Sequence, residues 1–362
     1  MNTYMTAGAA LLLTTTAAMA GGIDRSGQFL GPLFEEGGET GSYFQFSFGN
    51  VSPEANAAPL PGPLAALVPS DPLDSYSSLG FAFKMDLNDQ LSAAIIVDEP
   101  FGVNVEYTDG AFGGSPLTEL DNGRAHIGST GVTGVLRYEL NNGFSVHGGV
   151  RAQQVAGEIV STPGFLQAES DFNYGYVVGA AYERPEIALR VALTYNSEIE
   201  NELSGTVNFA PIDDFTVTFP ESYNLEFQTG VAEDTLLFGS IRHAKWDGFN
   251  LTAGGAEYVN FSGDTTTYSV GLGRRLSDSL SVFATVGYEE AGTRPSTTAL
   301  APTTGTTSYG VGATYTMDQI ELTAGISYVE LGDQTVNAAP GVAFDFDDNS
   351  AIGAGFRIGY NF

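Results

Sequence analysis

Cysteine is absent from this 362-residue chain, and no stretch stays apolar for the roughly 18 to 20 residues that a membrane helix requires. The first absence excludes a disulfide scaffold and thiolate metal sites. The second leaves a closed barrel as the only way for the chain to span a bilayer. Basic residues are scarce: 13 Lys and Arg stand against 43 Asp and Glu, a formal net charge of −30. That balance argues against nucleic acid or an anionic membrane surface as a partner. Only three histidines occur, His126, His147 and His243, and they are far apart in sequence. No Gly-x-Ser-x-Gly, His-Glu-x-x-His, phosphate loop or dinucleotide fingerprint is present. Ser145 and His147 share a strand face, a pairing that chance produces often. No catalytic residue, metal site or cofactor is therefore expected, and the chain reads as a non-enzyme.

What the chain has is glycine, aromatics and a period of two. It contains 46 Gly and 12% aromatic residues, with a mean hydropathy of +0.00. At its end Ile352, Ala354, Phe356, Ile358, Tyr360 and Phe362 alternate with Gly353, Gly355, Arg357, Gly359 and Asn361. Similar alternation recurs along the chain: Leu280, Val282, Ala284, Val286 and Tyr288 oppose Ser281, Phe283, Thr285, Gly287 and Glu289. Tyr174, Tyr176, Val178, Ala180 and Tyr182 oppose Asn173, Gly175, Val177 and Gly179, while Val191, Leu193 and Tyr195 oppose Arg190, Thr194 and Asn196. No helical stretch is available to cover these apolar faces, so lipid is their simplest partner. Tyrosines such as Tyr138, Tyr182, Tyr195, Tyr288, Tyr315 and Tyr360 end the apolar stripes, as suits the hydrocarbon–headgroup boundary. A soluble sandwich or propeller would need facing apolar sheets or a fixed repeat, and no such repeat is visible.

Connections alternate strictly in length. Tight ones fall at 86–90, 140–143, 183–186, 232–234, 277–279 and 317–319. Long ones fall at 51–74, 99–123, 157–168, 197–213, 247–263, 291–306 and 331–349. Six turns and seven loops join fourteen strands, with both chain ends on the side of the short turns. The expected fold is therefore all-β: a transmembrane antiparallel β-barrel of about fourteen strands over 41–362. Acidic residues crowd the long connections (Glu198, Glu200, Glu202; Asp345, Asp347, Asp348), where solvated loops are expected.

Residues 1–20 read as a secretory signal, with an apolar run through Leu11, Leu12 and Leu13 and the small-residue motif Ala18-Met19-Ala20 before Gly21. Residues 21–40 are Gly-rich and do not alternate; such a segment either trails in solvent or folds into the lumen. By parity Lys84, Arg137, Arg151, Arg190, Arg275, Arg357 and His147 point inward, among small and mildly polar neighbours. Some must pair with inward acids such as Glu226, Glu289 and Glu321, because an unpaired charge away from water is costly. Arg151, Arg190 and Arg357 are candidates to hold an amphiphile's carboxylate. The first long connection carries an apolar, proline-rich run with Leu60, Leu64, Leu67 and Val68, a candidate outer capture surface that residues 112–120 would extend.

Three stretches carry a family resemblance. Leu79-Gly80-Phe81-Ala82-Phe83-Lys84 leads through Leu87-Asn88-Asp89-Gln90-Leu91 to Asp98-Glu99-Pro100-Phe101-Gly102 and Tyr107. Trp246-Asp247-Gly248-Phe249 follows a tight turn and a strand, and the chain ends Gly359-Tyr360-Asn361-Phe362. Together these resemble the FadL-type outer-membrane transporters of hydrophobic compounds. The resemblance implies a hatch over 21–40, including Arg25, Phe29 and Phe34, that plugs the barrel. It also implies a lateral opening at Pro100, Phe101 and Gly102. Proline removes a ladder donor there and glycine weakens the strand. The hatch is short and lacks the family's Asn-Pro-Ala motif.

The implied function is passive uptake of hydrophobic or amphipathic compounds, long-chain fatty acids first, in the outer membrane of a Gram-negative bacterium. Outer-membrane lipid and lipopolysaccharide would surround the barrel. The assembly machinery would act on the strand ending at Phe362. The alternative is a general diffusion porin for small polar solutes.

Overall fold

The structure, a computed structural model, describes residues 23–58, 71–107, 123–161, 163–292, 298, 300–339 and 342–362. The signal-like segment, Leu60, Leu64, Leu67, Val68 and residues 112–120 lie outside the described residues.

A closed barrel of 14 antiparallel strands forms the body. In order the strands are Ser42–Ala57, Tyr76–Asn88, an interrupted third (Leu91–Asp98 and Gly102–Glu106), Arg124–Glu139 and Phe144–Ser161. Three further interrupted strands follow: Gly164–Ser170 with Asn173–Arg184, Leu189–Asn196 with Ile199–Val207, and Phe215–Phe219 with Ser222–Ala232. The last six are Thr235–Ala244, Thr265–Arg275, Leu280–Glu289, Thr306–Met317, Ile320–Leu331 and Val342–Asn361. The first strand pairs with the last from Tyr43↔Asn361 to Ala57↔Phe346, which closes the wall and leaves no edge exposed at the seam.

Two tiers divide the wall, and the burial pattern inverts between them. In the lower tier apolar side chains look outward: Val150, Leu193, Ile326 and Ile352 are all more than half exposed, on the face a bilayer would cover. The inner face there carries His147, Arg151, Thr194 and Asn196, all buried. In the upper tier the same strands bury Val155, Ile159, Ile199 and Leu203 inside, while Glu158, Glu200 and Glu202 face out. Above the hydrocarbon a strand needs a wet exterior and a dry interior, so the chemistry of its two faces must change.

In several strands a single-residue insertion accompanies the change, whereas the fifth strand runs unbroken and changes only the chemistry of its inward residues from His147 and Arg151 to Val155 and Ile159. Inward positions step from Ser170 to Asn173, from Asn196 to Ile199 and from Phe219 to Ser222, where regular pleating would step by two. The last strand does the same at Asp348, which takes φ 51 and shifts the register opposite Glu54 and Asn56. Much of what the sequence suggests as loop is therefore strand. Glu200 and Glu202 lie in Ile199–Val207, and Asp345 and Asp347 in Val342–Asn361. Their acidic alternation belongs to a strand with no lipid against it, which a search for apolar-out segments passes over.

Inside, residues from Ile23 to Phe34 occupy the lumen. A short 3₁₀ turn, Gly31–Phe34, starts with Pro32 near its head and buries all four residues. Leu30, Leu33 and Phe34 pack on inward Ala82, Ala94, Ile96, Val135, Val177, Ala181 and Ala192. Small side chains on the wall leave room for the plug's large ones.

Candidate functional site

The upper-tier interior is a single apolar cluster. Ile127, Val155, Ile159, Leu166, Leu203 and Val217 from the wall line, with Ile23 of the plug, a pocket of about 550 Å³ including its open mouth. Its lining is entirely apolar. The long connection after the ninth strand folds inward as a two-stranded hairpin, Asn250–Ala253 with Ala256–Asn260, and adds Leu251 and Val259 to the lining. Aromatic rings wall one side: Phe101 lies 4.6 Å from Phe219 and 5.7 Å from Trp246, and Phe249 stacks on Phe261 at 5.3 Å. A lumen of small and mildly polar residues, the sequence-level expectation, therefore describes the lower tier only.

Arg151 sits beneath this chamber, two inward steps below Val155 on the fifth strand. It is buried, and its only ion-pair partner among the described residues is Asp98 at 3.6 Å. The Arg151 Nε and Nη2 atoms have no hydrogen-bond partner. A buried guanidinium with vacant donors is costly and is ready to receive an anion. Arg357 donates to Glu321 at 2.9 Å and to Gln45 at 3.4 Å. Arg190 is a diagonal neighbour of Glu226 across the wall and lies 5.0 Å from the Phe34 ring centroid. Arg357 Nε is also without a hydrogen-bond partner, but of the three candidate head-group residues Arg151 has two such atoms and stands just below the chamber wall.

Arg137 also stacks on Phe34, at 4.8 Å, and His147 meets its edge at 5.7 Å, so the plug's ring sits among three basic side chains. Arg137 is paired with Glu183 and Glu139. Ser145 accepts from Arg137 Nε at 3.0 Å, while His147 Nε2 meets Thr194 Oγ1 at 2.9 Å, so the two are not bonded to each other as a nucleophile and base would be.

The plug is locked by a residue the parity reading passed over. Arg242 reaches Asp24 at 2.8 and 2.5 Å, the Gly27 carbonyl at 3.0 Å, Ser222 at 2.8 Å and Asn224 at 3.0 Å. Asn224 in turn donates to the Gly27 and Gln28 carbonyls at 2.8 and 3.2 Å. Arg242 shares its face with Ser240 and Ala244 on the ninth strand, and that alternation was the available signal. Arg25 donates to Asn104 at 3.2 Å and lies 4.0 Å over the Tyr76 ring. Burial lowers its guanidinium from the ordinary value, while Tyr76 and Glu99 oppose the shift. Phe29 lines the opening described next.

The wall is incomplete at the third strand. Its pairing with the second strand stops at Phe81↔Val97, and residues 76–80 pair only with the first strand. The third strand leaves the ladder after Asp98 and resumes at Gly102, so Glu99, Pro100 and Phe101 have no strand partner in the wall. Pro100 has no amide to offer a neighbour. The freed Phe101 amide and carbonyl are both taken by Ser129 Oγ, at 2.8 and 2.7 Å. On its open edge the kink is capped by the plug: Arg25 N donates to Pro100 O at 2.8 Å, and Gly102 N to Ile23 O at 2.7 Å. Beside the gap lies a second cavity of about 790 Å³ including its open mouth. It is lined by inward Gln45, Ser78 and Gly80 and by outward Leu79, Phe81 and Phe356, so it touches both faces of the wall.

Residues 78–362 match the sequence profile of a family described as outer membrane protein transport protein (OMPP1/FadL/TodX). The chain belongs to that family. Its fold resembles the crystal structure of a Pseudomonas aeruginosa FadL homologue, at 15% identity and a TM-score of 0.69, covering 100% of this chain and 99% of the other. The P. putida toluene transporter TodX is similar at 13% identity and a TM-score of 0.63, covering 91% of each chain. The Ralstonia pickettii toluene transporter TbuX is similar at 12% identity and a TM-score of 0.57, again covering 91% of each. No curated protein sequence matches the chain.

Proposed function

We propose that this outer-membrane transporter of hydrophobic compounds takes up long-chain fatty acids and releases them sideways into the bilayer. The observation that carries this reading is the stacking of three features: an apolar chamber, a buried Arg151 with vacant donors below it, and a wall gap beside Asp98 and Pro100. The acyl chain would occupy the chamber, gaining about 0.8 kcal/mol per buried methylene. The carboxylate would sit on Arg151. Leaving through the gap lets a greasy molecule pass from dry chamber to hydrocarbon without crossing water. Residues 1–20 would be removed on export, residues 21–40 act as the hatch, and the assembly machinery would act on the strand ending at Phe362. In this reading the apolar run with Leu60, Leu64, Leu67 and Val68 captures ligand outside. A diffusion porin is disfavoured by the plug, which holds the lumen through Arg242 and Phe34.

Replacing Arg151→Gln together with Asp98→Asn removes both partners, so neither charge is left buried alone. Oleate binding to the detergent-solubilised protein is expected to weaken about tenfold to a hundredfold, the worth of charge-assisted hydrogen bonds, with toluene binding unchanged. Unchanged oleate affinity would remove the head-group role. Tight binding of toluene with little of oleate would favour an uncharged aromatic cargo, the second reading, which the rings of Phe101, Phe219, Trp246 and Phe249 support.

A further inference from the structure

On the outer face of the upper tier, we infer that Asp74, Glu106 and His126 form a binding site for a divalent transition-metal ion of the zinc type. His126 Nε2 lies 3.5 Å from Asp74 Oδ2 and 3.9 Å from Glu106 Oε2, and the three donor atoms all fall within 4.8 Å of one another. Donors held about 2.0–2.2 Å from a tetrahedral zinc stand roughly 3.2–3.6 Å apart, so small side-chain adjustments close the set. The imidazole nitrogen selects zinc-like ions over calcium or magnesium, which take oxygen donors.

The other imidazole nitrogen supports the same assignment. His126 Nδ1 faces Glu158 Oε1 at 4.0 Å, and that carboxylate is held by Arg124 Nε at 2.8 Å. A metal-binding histidine commonly hydrogen-bonds its second nitrogen to a carboxylate, which fixes the ring and raises its basicity; at 4.0 Å that bond is not formed here, and a small turn of the ring toward Glu158 would form it. Arg124 offsets the charge of Glu158, leaving Asp74 and Glu106 as two negative charges for one dication.

The backbone brings these groups together. His126 stands directly opposite Asn104 on one side and Glu158 on the other. Asp74 N donates to Asn104 O at 3.2 Å, and Glu106 N to Pro72 O at 2.8 Å, which docks the segment before the second strand onto the third strand's free edge. Ala125 and Val105 point into the core, so their neighbours His126 and Glu106 face outward and stay reachable. A bound ion would staple that docked segment to the third and fourth strands above the wall gap, whichever molecule the channel carries.

The test uses the full chain in detergent, purified without a polyhistidine tag, stripped with chelator and dialysed against zinc chloride. The expected result is a single equivalent of zinc retained through gel filtration and none of magnesium. His126→Ala should lose it, while His243→Ala, a change at a comparably exposed histidine near one carboxylate, should keep it. Glu158→Gln should weaken zinc affinity about 10- to 100-fold through ring orientation alone. Heat-dependent gel mobility verifies that each variant barrel is folded. Failure of the wild type to retain zinc, or equal retention by folded His126→Ala, would overturn the assignment.

Discussion

Oleate uptake should fall about tenfold or more when Leu79→Cys and Glu99→Cys are joined by a short reducible cross-linker, and recover when the linker is reduced. Leu79 lies on the stretch of the second strand that has no third-strand partner, and its amide reaches the Glu99 carboxylate at 3.2 Å. A covalent bridge there spans the gap without touching the chamber or Arg151. Oleate binding in detergent should therefore be unchanged while transport stops. The chain has no cysteine of its own, so the chemistry is confined to the introduced pair. A control pair, Phe83→Cys with Ile95→Cys, joins positions already in register where the wall is intact, and cross-linking it should leave uptake unaltered. Normal uptake with the gap bridged would place the exit elsewhere.

The second large effect concerns the plug. Arg242→Met removes a guanidinium that contacts Asp24, the Gly27 carbonyl, Ser222 and Asn224, and it strands the Asp24 carboxylate in the lumen. Breaking one side of a buried ion pair costs about 3–5 kcal/mol, so the released plug should become more populated by a hundredfold or more. Arg25 reports this directly. In the docked state its backbone caps the kink through Pro100 O, and trypsin should not cut it. In Arg242→Met, cleavage after Arg25 should appear early in limited digestion, with raised ion conductance in planar bilayers. Adding Asp24→Asn should recover part of the protection, because the stranded charge is gone. An Arg242→Met protein as resistant as the wild type would show that Leu30, Leu33 and Phe34 packing alone holds the plug.

Much of the barrel is legible in the sequence. Strict alternation of tight and long connections yielded the strand number, and parity placed Lys84, Arg137, Arg151, Arg190 and Arg357 on the inner face, where all are buried. Family likeness was readable in the stretch through Asp98 and Gly102 and in the Trp246–Phe249 segment. The upper tier was not legible, for a physical reason. A strand is recognised as membrane-spanning by its apolar outer face, but above the lipid the apolar face is the inner one. Single-residue insertions such as those at 171–172, 197–198 and 220–221 hide the continuity between the two patterns. Much of the apolar chamber was missed with it, since Ile159, Leu166, Leu203, Leu251 and Val259 lie where loops were expected. The His126 cluster joins residues far apart in sequence, and only strand register brings them together.

The central claim is that a plugged barrel carries greasy molecules while refusing small polar ones. Its most direct test is one comparison with the same purified protein: radiolabelled oleate uptake in a host lacking its own fatty-acid transporter, beside sugar permeation in liposomes. Oleate uptake without sugar flux is the expected result. Sugar flux without oleate uptake would contradict it.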